Sequence, residues 1–93
     1  MNMIKSFKHK GLKKFFYKSD ASGINPNHEK RLKIILFRLN VAKIIDDMDV
    51  SGFRLHPYTN IKDTWSIDVS GNYRILFRFI NGDAFVIDYL DPH

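Results

Sequence analysis

The spacing of apolar residues changes once along this chain, from a helical period in the first half to a period of two in the second. A short apolar segment, Met3–Phe7, is predicted to form an edge strand. Residues 8–18 place apolar side chains at helical spacing opposite a lysine-rich face. Asn25-Pro26 provides an N-cap followed by a proline at the first helical position. A second, longer helix is therefore predicted from there to about Asp46.

From Gly52 onward the alternation of apolar and polar residues is typical of strands. Four strands are predicted, at Phe53–His56, Trp65–Val69, Tyr73–Ile80 and Ala84–Leu90. Asn81-Gly82 lies between the last two and is a strong hairpin signal, because a type I′ turn needs positive φ at both central residues. The predicted fold class is α+β. An N-terminal strand and two helices pack on a C-terminal four-stranded antiparallel meander, in a single domain of residues 1–93.

The Asn81-Gly82 turn also predicts which side chains share a face of the last hairpin. A two-residue loop pairs Ile80 with Asp83, so that counting back places Arg78 opposite Phe85 and Arg74 opposite Tyr89. The face predicted to be buried under the helices carries Tyr73, Ile75, Phe77, Phe79, Ala84 and Val86. The other face carries Arg74, Arg78, Phe85, Ile87 and Tyr89, and by parity Asp91 and His93.

The composition and net charge of the chain indicate an anionic partner. With 44% apolar and 14% aromatic residues the chain can build a modest core, and its net charge of +5 favours a polyanionic partner. The alternative is a basic surface that only keeps the domain in solution. The absence of cysteine excludes a disulfide framework or a thiolate metal site and fits a reducing cytoplasm. No apolar run reaches the about 18 residues that a membrane span needs, and we expect no signal peptide.

A group of polar residues near the end of the predicted hairpin is the candidate for chemistry. If the meander brings His56 near Arg74, the cluster consists of His56, Lys62, Arg74, Asp91 and His93. Such a set suits cleavage of RNA by its own 2′-hydroxyl, with a His or Asp as base, cations at the phosphorane-like transition state and a second His as acid. Two alternatives stay open from spacing alone. One is an ordinary pair between Arg74 and Asp91, and the other is a His/Asp/His metal site that no local ligand spacing supports.

The positive net charge also predicts a wider set of RNA contacts. The lysines of the first helix are either contacts to the phosphate backbone or an ordinary solvated face. The predicted RNA-binding residues are Lys8, Lys10, Lys13, Lys14, Arg54, Arg78 and Tyr89. We expect His9 and His28 on solvated helix surfaces, and Trp65 in the core or at its rim.

Several segments, in order and spanning nearly the whole chain, match a known pattern. They are IKSFKHKGL at 4–12, LHP at 55–57, WSI at 65–67, NYRILFRFINGDA at 72–84 and DYLDPH at 88–93. In these segments the chain resembles the HigB (host inhibition of growth) branch of the RelE/ParE toxin superfamily. The resemblance implies a bacterial toxin with a microbial-RNase-like fold that cuts mRNA in the ribosomal A site without a metal or other cofactor. It also implies that the partners are the ribosome with its mRNA and a helix-turn-helix antitoxin, HigA.

The resemblance assigns catalytic roles residue by residue, and two positions depart from the family pattern. It implies that His56, Arg74, Asp91 and His93 are catalytic. Thr59 stands where relatives often have a catalytic lysine, and Lys62, three residues further, is the candidate for that role. Pro92 stands where relatives often have a tyrosine, so that role is absent or passes to Tyr58 or Tyr89.

Two other functions belong to the same superfamily or the same fold. ParE-type members lack the RNase residues and inhibit DNA gyrase. A catalytically weakened chain would retain only the binding of the antitoxin. His56, Arg74 and His93 favour the RNase, whereas Thr59 and Pro92 count against it.

Overall fold

The structure, a computed structural model, describes residues 3–59 and 61–91. Within these residues, two α-helices pack on one face of a four-stranded antiparallel sheet with the strand order β1-β2-β3-β4. The elements are α1 (Lys10–Lys18), α2 (Glu29–Val41), β1 (His56–Pro57), β2 (Thr64–Asp68), β3 (Arg74–Ile80) and β4 (Asp83–Leu90). The predicted α+β class is confirmed. Neither helix of this part of the chain has the length and apolar character to cross a membrane.

Both helices begin near the predicted residues, but the second ends earlier. The Nδ1 of His9 accepts a hydrogen bond from the Leu12 N–H at 2.9 Å, so His9 is the N-cap of α1 rather than a solvated helix residue. The α2 helix ends at Val41 instead of about Asp46. The carboxylate of Asp47 accepts hydrogen bonds from the N–H groups of Lys43 and Ile44, at 2.8 and 3.2 Å. This side chain offers the backbone an alternative to the helical ladder, and a separate 3₁₀ turn follows.

Two predicted strands are shorter than expected. Residues 3–7 form only isolated parallel bridges to β4, Ile4 with Ala84 and Phe7 with Ile87. The first strand of the meander is His56–Pro57 rather than Phe53–His56. Arg54 has a φ of 56°, in the left-handed region, which a regular strand does not contain.

The last hairpin turns where it was predicted to turn, but a β-bulge changes its register further along. Ile80 pairs with Asp83, and Arg78 lies opposite Phe85, as predicted. Beyond the bulge, Ile75 pairs with Tyr89 and Arg74 with Leu90. The prediction of Arg74 opposite Tyr89 is therefore wrong by one residue.

The bulge also reverses the predicted faces of the second half of β4. Val86, at a φ of 47°, is 45% exposed although it was predicted to be buried. Ile87 and Tyr89 were predicted on the open face, yet they are 0% and 5% exposed. An extra residue in one strand shifts the alternation of every residue after it.

The inward turn of Tyr89 creates a buried polar contact beneath the sheet. Its hydroxyl lies 2.6 Å from Nδ1 of His28 and accepts a hydrogen bond from the Asn25 N–H at 3.3 Å. The ring of Tyr73 stacks on that of Tyr89, with centroids 5.0 Å apart. The prediction that His28 is solvated is wrong, because a buried tyrosine hydroxyl requires a polar partner. Trp65 packs at the rim of the core, as predicted.

Candidate active site

The candidate site lies on the face of the sheet that the helices leave uncovered. Across the strands, His56 pairs with Ser66, and Asp68 pairs with Arg74. Because paired residues of antiparallel strands project to the same face, these side chains form two adjacent rows. His56 and Arg74 both line two shallow surface depressions, one of which also includes Thr59. The structure thus brings together the histidine and the arginine that the sequence nominated.

An aspartate outside the predicted set of site residues links the arginines of this site. Oδ2 of Asp68 lies 3.3 Å from Nε of Arg54, and Oδ1 lies 3.7 Å from Nη1 of Arg74. The second distance exceeds hydrogen-bond range, so this contact is a loose ion pair. The alternation in TWSID at 64–68 is the signal that could have placed Asp68 on the open face beside Arg74.

The backbone just before β1 fixes the tautomer of the His56 ring. Nδ1 of His56 lies 2.7 Å from the carbonyl oxygen of Arg54, which can only accept a hydrogen bond. Nδ1 therefore carries the proton, and in the neutral ring Nε2 carries the lone pair. Arg54 holds this carbonyl in place with a positive φ, a conformation that costs of the order of 1–3 kcal/mol and that clusters at functional sites.

The remaining predicted catalytic residues are Lys62, Asp91 and His93. Lys62 is exposed in the loop before β2, and it is not among the residues that line the depressions with His56 and Arg74. Asp91 follows β4 directly, one residue beyond Leu90, which is the cross-strand partner of Arg74. The parity argument that led to this prediction does not hold, because the bulge intervenes and β4 ends at Leu90, so the position of Asp91 on the face of Arg74 stays a prediction. His93 and Pro92 lie outside the described residues.

The predicted RNA-binding residues divide into four groups. Lys8 precedes α1 and lies beside β4, with Nζ 3.9 Å from Oδ2 of Asp88. Lys10, Lys13 and Lys14 are exposed on α1. Arg54 and Arg78 are exposed at opposite ends of the open face. Tyr89 is buried against His28, so the prediction that it lies on the open face among the RNA contacts is wrong.

The charges of this face suit an anionic ligand better than a metal ion. Basic side chains from the segment before α1, from the loop before β1 and from β3 outnumber the carboxylates of Asp68 and Asp88 that accompany them. In residues 3–59 and 61–91 there is no cluster of three His, Asp or Glu residues that could hold a metal ion. The arrangement offers one nitrogen base beside a guanidinium, which is the minimum for moving a proton next to a phosphate.

The chain matches known proteins over a stretch that includes the whole candidate site. A family described as the RelE-like toxin of type II toxin–antitoxin system HigB matches residues 5–93. The chain is also 42% identical to Endoribonuclease HigB of Proteus vulgaris over 92 residues, which cover 98% of this chain and 100% of that protein. Both matches include β1, β3 and the segment after β4.

Proposed function

Because this chain belongs to the RelE-like HigB toxins of type II toxin–antitoxin systems, we propose that it is an endoribonuclease that cleaves mRNA in the ribosomal A site. The observation that carries the proposal is His56 beside Arg74 on an open, basic face. The similar protein from Proteus vulgaris, named an endoribonuclease, supports it. A toxin of this family has an antitoxin as its partner. We place the activity in the bacterial cytoplasm, where ribosomes and mRNA are found.

The proposed chemistry is an in-line attack by the 2′-hydroxyl of the RNA on its own adjacent phosphate. Nε2 of His56 accepts the hydroxyl proton while the 2′-oxygen forms a bond to phosphorus. The bond from phosphorus to the 5′-oxygen breaks, and His93 donates a proton to that leaving oxygen. The products are a 2′,3′-cyclic phosphate and a free 5′-hydroxyl. Asp91 is proposed to orient the histidine of the tail.

Arg74 is proposed to stabilise the negative charge of the transition state, with Lys62 as the second cation. Arg74 borders both depressions with His56, so its guanidinium can approach the same phosphate that the imidazole serves. A guanidinium presents two parallel N–H groups to two phosphate oxygens, whereas lysine presents a point charge. Thr59 lines the depression where relatives have lysine, and the proposal therefore requires that the loop carrying Lys62 moves toward the phosphate when RNA binds.

Contacts to the RNA of the programmed ribosome are assigned to the exposed lysines before and on α1 and to Arg54 and Arg78 of the open face. These side chains carry no chemistry in the proposal, and they hold the protein to the ribosome and its mRNA through contacts to RNA phosphates. The residues in this role are Lys8, Lys10, Lys13, Lys14, Arg54 and Arg78.

The test is single-turnover cleavage of mRNA in programmed ribosomes by Arg74→Ala. We expect a loss of about 10²-fold or more, as for other transition-state donors, with Arg74→Lys recovering only part of the rate. Arg74 is partly exposed and loosely paired, so the thermal midpoint should change little. The matched control is Arg38→Ala, an exposed arginine on α2, which should cleave like the wild type. Wild-type cleavage by folded Arg74→Ala protein would contradict the proposal.

Mapping of mRNA 5′ ends on ribosomes from cells that express the chain separates this proposal from its alternatives. Cuts at the A-site codon support the endonuclease. DNA breaks that depend on gyrase, without mRNA cuts, would indicate a ParE-type inhibitor. If neither occurs while the antitoxin still binds, the chain is the catalytically weakened module that Thr59 and Pro92 would favour.

A further inference from the structure

A second depression on the open face adjoins the catalytic one and is walled by exposed apolar side chains. Tyr58 lines both depressions, which makes it their common wall. Ile61, from the loop before β2, and Val86, from β4, line the second one. Tyr58, Ile61 and Val86 are 39%, 53% and 45% exposed. Apolar surface that is gathered in one concave place and left in contact with water is typical of a binding site.

The fold keeps Val86 in this depression against its own backbone preference. A β-branched residue at a φ of 47° is a conformational outlier, with a cost of the order of 1–3 kcal/mol. Ser6 holds the bulge from the neighbouring segment, because its Oγ accepts the Val86 N–H at 2.8 Å and its carbonyl accepts the Ile87 N–H at 3.2 Å. Bulges beside active sites re-aim side chains, and here the bulge turns Val86 outward.

Charged side chains surround the apolar walls in a pattern that fits one nucleotide. Lys8 and Arg78 both line the depression, although they come from distant parts of the sequence. Asp88 also lines the depression, and its Oδ2 lies 3.9 Å from Nζ of Lys8. A single-stranded nucleotide offers a flat apolar base, a polar base edge and a phosphate, which match the apolar walls, the carboxylate and the cations in turn.

We propose that this depression, bounded by Tyr58, Ile61, Val86, Lys8, Arg78 and Asp88, binds an unstacked nucleobase of the RNA substrate beside the cleaved phosphate. The base packs against Tyr58 and Val86, while Lys8 and Arg78 contact the flanking phosphates. The carboxylate of Asp88 accepts a hydrogen bond from an exocyclic amino group, which favours bases that carry one. This inference rests on the proposed function for its substrate, but it assigns a site that the cleavage chemistry does not use.

The first experiment measures binding of short single-stranded RNAs to the intact protein at low salt, by fluorescence anisotropy. The RNAs carry a 2′-O-methyl group at every position, so that no 2′-hydroxyl is free to attack the phosphate, and one abasic nucleotide is moved along the sequence. For the wild type we expect one abasic position to weaken binding by about 10-fold, the loss of one stacked base. In Tyr58→Ala the same abasic position should cause no further loss, because base and ring form one pair. Tyr58→Phe should behave like the wild type.

The second experiment uses Val86→Gly to separate binding from folding. Glycine tolerates positive φ, so this variant should unfold at the same or a higher temperature than the wild type. It should nevertheless bind the intact RNA about 3-fold more weakly, because it lacks the outer wall of the pocket. Phe37→Ala, an exposed apolar residue of α2 at 65% exposure, is the control and should bind RNA like the wild type.

The outcomes separate this inference from the proposed function. A flat abasic scan, or no RNA binding at all, overturns the nucleobase pocket, even if the wild type cleaves mRNA on ribosomes. Unchanged RNA binding by both Tyr58→Ala and Val86→Gly overturns it as well. An abasic position that is silenced by Tyr58→Ala supports the pocket, even if cleavage on ribosomes fails and the endonuclease proposal falls with it.

Discussion

Replacement of Tyr89 by phenylalanine tests whether this residue serves the fold or the RNA. The change retains the ring and removes only the hydroxyl, which lies 2.6 Å from Nδ1 of His28 and 3.3 Å from the Asn25 N–H. Both Tyr89 and His28 are buried, at 5% and 8% exposure. The variant would leave the ring nitrogen of the buried His28 and the partly buried N–H of Asn25 without their partner.

The expected magnitude follows from these unsatisfied groups. A buried polar group that loses its partner costs about 1–3 kcal/mol. For a domain of this size each kcal/mol lowers the thermal midpoint by about 4–8 °C. Circular dichroism of wild type and Tyr89→Phe at pH 7 measures the difference. Tyr17→Phe, at a tyrosine 58% exposed on α1, is the matched control and should shift stability by less than about 0.5 kcal/mol.

The pH dependence of the same variant gives an independent check with a definite sign. Burial raises the pKa of Tyr89 above its ordinary value of 10.0. The native protein therefore keeps this proton at a pH where the unfolded chain has lost it. The stabilisation is complete below about pH 10 and is lost as the pH rises toward the native pKa. The stability gap between wild type and Tyr89→Phe should narrow above pH 10. Equal midpoints at pH 7, or a folded variant that fails to bind RNA, would refute this account of Tyr89.

Further predictions concern the backbone, the tail and the lysines. Gly11→Ala should lower the urea midpoint despite the helix propensity of alanine, because its Cβ would lie 2.6 Å from the carbonyl oxygen of Gly23; a raised midpoint would contradict this. Deletion of His93 should leave thermal unfolding nearly unchanged and strongly reduce cleavage in programmed ribosomes, whereas full cleavage by a chain ending at Leu90 would show that the tail is not used. Neutral replacement of the N-terminal lysines should reduce the log–log salt slope of ribosome binding by about one unit for each phosphate that a lysine no longer neutralises, and an unchanged slope would leave them a solvated face. The lysines replaced are Lys8, Lys10, Lys13 and Lys14.

Features that depend on neighbouring residues in the sequence could be predicted. The Asn81-Gly82 turn fixes its own conformation, so the hairpin and its first pairs, up to Arg78 with Phe85, follow from local chemistry. The bulge at Val86 could not be predicted, because no glycine marks it and its hydrogen bonds come from Ser6 at the other end of the chain. This one long-range contact decides which way Ile87 and Tyr89 face.

The candidate site divides in the same way. The meander order made the proximity of His56 and Arg74 a conditional prediction, and the structure meets the condition because both strands pair with β2, next to Ser66 and Asp68. Asp68 was recoverable from the alternation of β2, but its link to Arg54 was not, because that depends on the positive φ of Arg54 before β1. Thr59, at the position where the resemblance implies a lysine, is visible in the sequence, whereas the placement of Lys62 outside the depressions of His56 and Arg74 depends on the folded loop.

The carboxylate of Asp68 between two guanidiniums means that this face already carries an anion where the RNA phosphate is proposed to bind. A phosphate that reaches Arg54 and Arg74 exchanges one internal counterion for another, and few mobile ions are released from the protein side. The free energy gained is therefore the difference between the attraction of the two arginines for the phosphate and their attraction for Asp68. It is smaller than the attraction of two unpaired arginines for a phosphate. The affinity of the free protein for RNA should then be lower than its charge implies, and the ribosome, by presenting the strand at high local concentration, makes up that difference.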